Sequence, residues 1–337
     1  MKKGFGFLKT LALSCNIILL FFQMMIMGTL GTYFSETIAS LFVLPLVLIN
    51  LFFFFFWLFR MQWPFILFLV SILLSYPEYQ LLYSFPNNSV QVDRGLKILT
   101  YNVRLFNQYQ WIKNDTIPNQ IARFIAQENP DIVCFQEFTK ELNPSFASYP
   151  YLYFKPSKKG GRNGTCIISK IPIQKKGVIP FQDSSNNGIF AEVKWQKKRL
   201  RIYNVHFESF GLNRQDSLIS KVNAFKFKEL LQSTLKKQNG QLLQFDLFQK
   251  ENPNPYVICT DLNNNAFSKS YNLLKSDRKD AFVEAGEGLG TTYWFSFFPL
   301  RIDYIFTSPE ISVLSFKTFN KIEYSDHKPI MASIRIP

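Results

Sequence analysis

Three long stretches without a charged residue fill the start of this 337-residue chain: Thr10 to Tyr33, Thr37 to Phe59 and Met61 to Pro77. A bilayer core takes roughly 17 to 25 apolar residues as helix, so each stretch is long enough to be a crossing. The third is the shortest, at 17 residues, and carries Pro64 near its start. Three such helices in succession inside a soluble protein would leave little polar surface for water. A cleaved signal sequence fits the first stretch, which follows Lys2, Lys3 and Lys9, but leaves the second, with its LFFFFFWLF, without a role. The sequence therefore predicts a membrane anchor over residues 1–86 with about three transmembrane helices. The basic residues before the first stretch, against a lone Glu36 in the next loop, put the amino terminus in the cytoplasm. Three crossings then deliver residues 87–337 to the extracytoplasmic, periplasmic side of the cell membrane, as part of a multi-pass protein.

Charge is unevenly distributed. The anchor holds only Lys2, Lys3, Lys9, Arg60, Glu36 and Glu78, so the remainder carries 34 Lys and Arg against 22 Asp and Glu, an excess of +12. Such an excess suits a polyanionic partner, whether nucleic acid, a phosphorylated small molecule or an anionic membrane surface, and it also serves solubility. Cys15 falls in the first apolar stretch. Cys134, Cys166 and Cys259 sit in strand-like runs and read as buried small hydrophobes rather than a disulfide framework. The Cys and His spacing of a zinc site is absent from the sequence.

Past a polar linker, FPNNSVQVDRG, strand-like and helix-like segments alternate. LKILTYNV, DIVCFQEF, GTCIISKIPI, YVICTDLNN, LRIDYIFTS and PIMASIRIP read as strands of largely buried sheets. GIFAEVKWQKKRLRIYNVHF reads as a hairpin whose basic tip, Lys197, Lys198 and Arg199, is equally a solvated turn. PNQIARFIAQENP is a short helix with Ile121, Phe124 and Ile125 on one face, KVNAFKFKELLQSTLKK is an amphipathic helix, and QNGQLLQFDLFQKENPNP is a polar connection. Many strands with few helices between them indicate two packed sheets flanked by helices. In the loop KPSKKGGRNGT, three glycines allow close approach of a ligand to Lys158, Lys159 and Arg162.

Polar residues collect at one end of these strands: Asn102, Glu137, His206, Asp261 with Asn263, Asp303, and Asp326 with His327. Asn102 and Glu137 offer the hard oxygen ligands that a cation such as Mg2+ takes, although either alone reads as a turn cap. The chain's only two histidines follow strand-like runs, in YNVHFES and YSDHKPI. ICTDLNN and RIDYIF place carboxylates inside apolar strands, which is costly unless the charge is paired or bound to metal.

The ordered series NVR, QE, SKIPI, NVHFES, TDLN, RIDYI and SDHKP resembles the endonuclease/exonuclease/phosphatase superfamily, which includes deoxyribonuclease I, abasic-site endonucleases, inositol-polyphosphate 5-phosphatases and neutral sphingomyelinases. The resemblance spans roughly residues 95–337. It implies an α/β fold, a four-layered α/β sandwich of two packed mixed sheets flanked by helices, preceded here by the N-terminal transmembrane helices. It implies hydrolysis of phosphate esters by an activated water with Mg2+ (or Mn2+). Carried over by position, it makes Glu137 the principal metal ligand, with Asn102 beside it and Asp326 at the metal side. Asp261 would orient or deprotonate the attacking water, Asn263 would stabilise the transition state, and His327, supported by Asp303, would contact the scissile phosphate. His206 matches a histidine of deoxyribonuclease-like and sphingomyelinase-like members, where abasic-site endonucleases have a tyrosine. These roles agree with the needs of diester cleavage, which are an activated nucleophile, charge neutralisation and help for the leaving oxygen. An Asp–His pair also holds an imidazole in one tautomer and raises its basicity. The family's usual GDFN is TDLN here, so Thr260 and Leu262 alter the packing around Asp261 and Asn263. The carboxylate nearest His206 in sequence is Glu208.

The substrate is a separate question, because one fold hosts many. Nucleic acid is the first expectation, from the +12 charge and His206; a phospholipid headgroup or inositol phosphate is the second, from anchoring beside a bilayer and basic loops. A non-catalytic scaffold is the third, against which stands the retention of Glu137, Asp261 and His327. In GEGLGTTYWFSFFPLRIDYI, Thr291, Thr292 and Tyr293 are expected at the substrate cleft together with Arg162. Trp294 to Phe298 would pack nearby, meet the membrane surface, or simply cover the sheet edge. No protein partner is expected.

Overall fold

The computed structural model describes residues 2–29, 37–85, 95–142, 144–181, 188–210, 224–295 and 298–337. Packing divides the chain into two units: residues 1–83 with 265–272, and residues 84–264 with 273–337.

The first unit is helical: α1 (Lys2–Met27), α2 (Thr37–Ser40), α3 (Val43–Phe59), α4 (Phe65–Leu74) and α5 (Tyr76–Leu82). Within α1, Phe7–Met27 is long and apolar enough to cross a membrane; α3 is apolar over 17 residues. The third apolar stretch departs from the expected continuous helix, because α4 and α5 meet at 87°. Pro77, in the first turn of α5, explains the break: its ring has no N–H to give and crowds the carbonyl four residues back. The unit is also inverted in polarity. Phe7, Leu11, Ile18, Phe21, Leu48, Phe52 and Phe59 face outward, while Asn16, Gln23, Asn50, Ser71 and Ser75 are buried. Asn16 Nδ2 donates to Asn50 Oδ1 (3.2 Å), Asn50 Nδ2 to Gln23 Oε1 (2.9 Å) and Gln23 Nε2 to the Tyr79 hydroxyl (2.6 Å).

The second unit contains two six-stranded sheets. One runs in the order β13 (Ser312–Thr318), β14 (Ile330–Arg335), β1 (Leu96–Asn102), β2 (Ile132–Thr139), β4 (Asn163–Ser169), β3 (Tyr151–Pro156). The other runs β5 (Ile173–Ile179), β6 (Gly188–Trp195), β7 (Lys198–His206), β8 (Tyr256–Asp261), β12 (Asp303–Thr307), β9 (Lys279–Asp280). Both are mixed, with β1 parallel to β2 and β7 parallel to β8. Strand alternation gives each sheet two apolar faces. Leu96, Ile98, Ile132 and Cys134 meet Ile202, Val257, Cys259 and Ile305 between the sheets. Leu99, Tyr101, Val133 and Ile168 turn the other way, onto Ile121, Phe124 and Ile125 of α6 (Ile117–Glu128). On the far side Phe190 and Tyr203 pack against Phe248 and Phe245 of α7 (Ala224–Lys250), completing the expected α/β sandwich of two mixed sheets flanked by helices.

Two readings of local structure are corrected. Residues 238–250, expected as part of a polar connection, are the second half of α7; residues 221–223 at the expected helix start lie outside the described residues. The polar spelling misleads because buried Gln238 spends its amide on the carbonyls of Leu262 (2.7 Å) and Glu208 (3.2 Å). GTCIISKIPI is not one strand: it breaks before Pro172, which lacks a ladder donor, and continues as β5 in the opposite sheet.

One polar clasp interrupts the apolar space between the sheets. Buried Gln136 of β2 donates to Asn204 Oδ1 of β7 (2.7 Å) and to Thr100 Oγ1 (2.9 Å). Asn204 Nδ2 in turn donates to the carbonyls of Phe135 and Cys166, both at 2.9 Å. Replacing Asn204 by Leu strands these buried partners, and each stranded group costs about 1–3 kcal/mol. A thermal melt should show Asn204→Leu destabilised by several degrees; an unchanged melting temperature would mean that the clasp adds nothing to sheet packing.

Candidate active site at one end of the paired sheets

Both sheets send side chains to the same end of the sandwich. Parallel β1 finishes there with Asn102 and β2 carries Glu137 two residues before its end, parallel β7 and β8 finish with His206 and Asp261, and antiparallel β12 starts there with Asp303. His206 and Asp261 are register partners, as are Asp261 and Asp303, so three functional residues stand in a row across one sheet. His327 arrives from the loop before β14, its backbone bridged to Tyr293 of β10 (Tyr293–Phe295).

Glu137 reaches this end through a fault in β2. Simple alternation would send it toward α6, on the side of Phe135. Instead the register shifts between Phe135 and Phe138, both of which face α6, and Glu137 takes φ 49°. A bulge of this kind re-aims one side chain at the cost of local strain. Glu137 consequently lines an open cleft of about 420 Å³ with His206, Lys158, Arg162, Leu105 and Gly164.

The geometry centres on Asp261, which is fully buried. Its Oδ1 accepts from the Asn263 amide (2.9 Å), and its Oδ2 accepts from Asn102 Nδ2 (2.8 Å). Both histidines point Nε2 at the same Oδ2, His206 from 3.6 Å and His327 from 3.7 Å. Asn102 Nδ2 also lies 3.2 Å from Glu137 Oε1. His327 Nδ1 is held by Asp303, at 2.9 Å from Oδ2 and 3.2 Å from Oδ1, which directs Nε2 into the site. Burial works against the His327 cation, but the Asp303 and Asp261 carboxylates outweigh it and hold the imidazole well above its ordinary pKa. Burial pushes Asp303 up to about 6, with the His327 cation opposing and Asp261 adding to the rise.

The remaining expected residues are distributed as follows. Asn263, at φ 55°, anchors its side chain on the Phe207 carbonyl (3.1 Å) beside Asp261. Asp326 pairs with Arg104 (3.4 Å) and is joined to the Asn102 carbonyl through Ser325 Oγ, which donates to it at 2.8 Å. Arg162 stands on the cleft wall, its Nη1 held by Glu141 at 2.8 Å. Tyr293 packs on His327 with ring centroids 5.1 Å apart. Thr292, expected to face substrate, is buried behind Asp303 instead, its Oγ1 accepting from the amides of Ile302 (3.0 Å) and Asp303 (3.2 Å). Its short hydroxyl satisfies two backbone amides at the start of β12. Trp294 is exposed at the β10–β11 (Phe298–Leu300) hairpin; Ser296 and Phe297 lie outside the described residues. Glu208 pairs with Lys237 (3.6 Å), so the carboxylate facing His206 is Asp261, its neighbour across the sheet. The roles of Gln136 and Asn204 escaped sequence reading; a polar residue two before His206 in YNVHF, on the same strand face, was the available signal.

Ligand atoms of Asp261, Asp303 and His327 lie within 4.8 Å of one another, a cluster able to coordinate a divalent metal. The Asp261, Asp303 and Glu137 carboxylates supply the hard oxygens that Mg2+ and Mn2+ take, while the Asn102 amide turns Nδ2 toward Glu137 and Oδ1 toward the Arg104 amide. Two sheets that bring carboxylates and both histidines to one end, beside an open cleft lined by Glu137 and His206, define a metal-dependent hydrolase of phosphoric esters. Residues 99–327 match the Endonuclease/Exonuclease/phosphatase family, and the chain belongs to it. Among solved structures of similar fold, the endonuclease/exonuclease/phosphatase from Bacteroides vulgatus is 18% identical with a TM-score of 0.56, over 72% of this chain and 100% of that one. The mannosyl-6-phosphatase of Bacteroides thetaiotaomicron is 17% identical, with a TM-score of 0.54 and the same coverages. D. rerio TDP2, in complex with single strand DNA product, is 16% identical with a TM-score of 0.54, again over 72% and 100%. No curated protein matches the sequence.

Because the chain has only two histidines, His206→Ala leaves His327 as the sole imidazole to follow by NMR. In that background the metal-free protein should keep His327 protonated through neutral pH. Asp303→Asn should lower its midpoint by about 1–3 pH units, the usual effect of losing an adjacent opposite charge. A midpoint near 6.5 that ignores Asp303→Asn would break the assigned pairing.

Proposed function

We propose that this chain is a membrane-integral phosphodiesterase that uses Mg2+ or Mn2+ and an activated water to cleave nucleic-acid diesters. The observation that carries the chemistry is the convergence on Asp261 Oδ2 of Asn102 and both histidines. Asn102 and Glu137 would hold the ion, with Asp326 on its flank; when bound, it would neutralise charge on the phosphate oxygens. Asp261, fixed by the Asn263 and Asn102 donors, accepts the proton of a water lying beside it. His327, oriented by Asp303 and kept cationic, donates through Nε2 to a phosphate oxygen as negative charge develops. His206 donates from the opposite side of Asp261. Asn263 steadies the transition state, and Tyr293 and Arg162 border the diester. Lys158 and Arg162 on the cleft wall, within a catalytic unit whose sequence carries +12, favour a substrate with repeated phosphates.

The inverted polarity of the helical unit supports membrane insertion. Only 22% of the apolar window in Phe7–Met27 is buried within the protein, whereas the core helix of a soluble protein is mostly buried. Buried amides bonded to one another between helices are the pattern expected where lipid is the solvent. The proposed topology is multi-pass, with a cytoplasmic amino terminus, the α4–α5 pair as third passage and the catalytic unit outside the cytoplasm. Alkaline carbonate should leave the protein in the membrane pellet, and protease added to spheroplasts should cut the catalytic unit. Protection from that protease would show that the α4–α5 pair turns back.

The full-length protein in detergent should hydrolyse bis(p-nitrophenyl) phosphate faster than p-nitrophenyl phosphate with Mg2+ or Mn2+, and lose activity in EDTA. His327→Ala and Glu137→Gln should each lower kcat by at least about 100-fold, the scale of one general acid or electrostatic stabiliser. Metal-independent turnover, or a His327→Ala enzyme at full rate, would contradict the mechanism. Preference for phospholipid or inositol-phosphate substrates over oligonucleotides would keep the mechanism and replace the substrate.

A further inference from the structure

The loop after β1 holds side chains that the hydrolytic mechanism leaves unused. Arg104, Leu105, Phe106 and Asn107 all take positive φ, from 42° to 63°. A left-handed conformation costs L-residues roughly 1–2 kcal/mol each. Phe106 anchors the turn by burial among Phe135, Phe138 and Phe146. Buried Asn107 then staples the following residues: Nδ2 donates to the carbonyls of Ile112 (2.7 Å) and Asn114 (3.2 Å), and Oδ1 accepts from the Ile112 amide (2.9 Å).

This rigid loop presents an aromatic pair. Tyr109 and Trp111 meet edge to face at 5.2 Å, and the Arg104 guanidinium lies 4.3 Å from the centre of the Trp111 ring. Tyr109 is 63% exposed, and neither ring belongs to the two clusters that form the sheet cores. The pair stands at the rim of the site. Arg104 continues from Trp111 to Asp326, and its backbone amide donates to Asn102 Oδ1 at 3.0 Å. Gln108, next to Tyr109, donates to Glu141, which also holds Arg162 of the cleft wall. Strain maintained in order to hold an exposed aromatic face outward indicates a binding role. An exposed Tyr109 ring set against Trp111, which itself carries the Arg104 cation, offers a stacking surface for a planar base beside the site. Only an unpaired base has a face available for it.

We propose that Tyr109, backed by Trp111 and Arg104, stacks a nucleobase next to the scissile phosphate and makes the site selective for single-stranded nucleic acid. This rests on the diesterase reading and adds the substrate class to it.

The test uses the full-length protein in detergent with EDTA, so that binding is read without turnover. Fluorescence anisotropy compares labelled hexathymidylate with a hexamer of the same phosphates carrying tetrahydrofuran abasic residues. The wild type should bind hexathymidylate about tenfold more tightly, within the range of one stacked base. Tyr109→Ala should erase that preference by weakening hexathymidylate alone, Tyr109→Leu should do the same with side-chain bulk kept, and Tyr109→Phe should retain it. Equal wild-type affinity for both hexamers overturns the platform, as does parallel weakening on both in folded Tyr109→Ala or Tyr109→Leu protein. Hydrolysis of bis(p-nitrophenyl) phosphate by the wild type is measured alongside. Turnover without base preference removes the platform and leaves the diesterase reading standing; absence of turnover removes that reading itself.

Discussion

The hydrogen bond from Asn102 Nδ2 to Asp261 Oδ2 joins residues 159 positions apart and contributed by different sheets. Everything proposed for the site depends on that meeting. Asn102 and Glu137 belong to one sheet, and His206, Asp261 and Asp303 belong to the other. Face-to-face packing of Ile98, Ile132 and Cys134 on Ile202, Val257 and Cys259 therefore controls chemistry some residues away. The Gln136–Asn204 clasp lies two residues before His206 on β7 and beside Glu137 on β2, so it ties the two halves close to the point of use. A site built this way is held in place by the packed core between the sheets, which suits electrostatic catalysis.

Strain is concentrated at the same end. Glu137, Asn263 and the run Arg104 to Asn107 all hold positive φ, and none of them is glycine. Well-packed surroundings make this tolerable: Phe135, Phe138 and Phe106 pack around the Glu137 bulge and the left-handed turn. Backbone strain at binding and catalytic positions, held in place by an ordered core, is a familiar use of surplus stability. The helical unit reverses the usual division, with Asn16, Gln23 and Asn50 inside and phenylalanines outside. The same hydrogen-bonding rules govern the buried amides of both units.

Much of the architecture was legible because buried strands and apolar spans have strong local signatures. Runs such as LKILTYN and YVICTD are strands with both faces covered, and nearly every residue in them is buried. His327 with Asp303 was legible from family resemblance and is a bonded pair in the structure. Other features were not legible. The polar spelling of residues 238–250 concealed a helix whose Gln238 donates to loop carbonyls and whose Gln241 accepts from the Glu208 amide. Thr292 looked like a cleft residue and supports Asp303 from behind. Glu208 was the sequence neighbour of His206, but sheet register gave His206 the carboxylate of Asp261.

By itself the sequence determined which segments are apolar throughout and which read as strands, because these depend on composition and short-range periodicity, which a linear string retains; the roles of its carboxylates and histidines were only what the family resemblance implied. The tertiary structure decided how those residues meet: that a one-residue bulge turns Glu137 from the α6 side into the cleft, that Asp261 stands between two histidines, and that α4 and α5 break at 87°. Such outcomes depend on register and packing between residues far apart in the chain, where a shift of one position reverses the direction of a side chain.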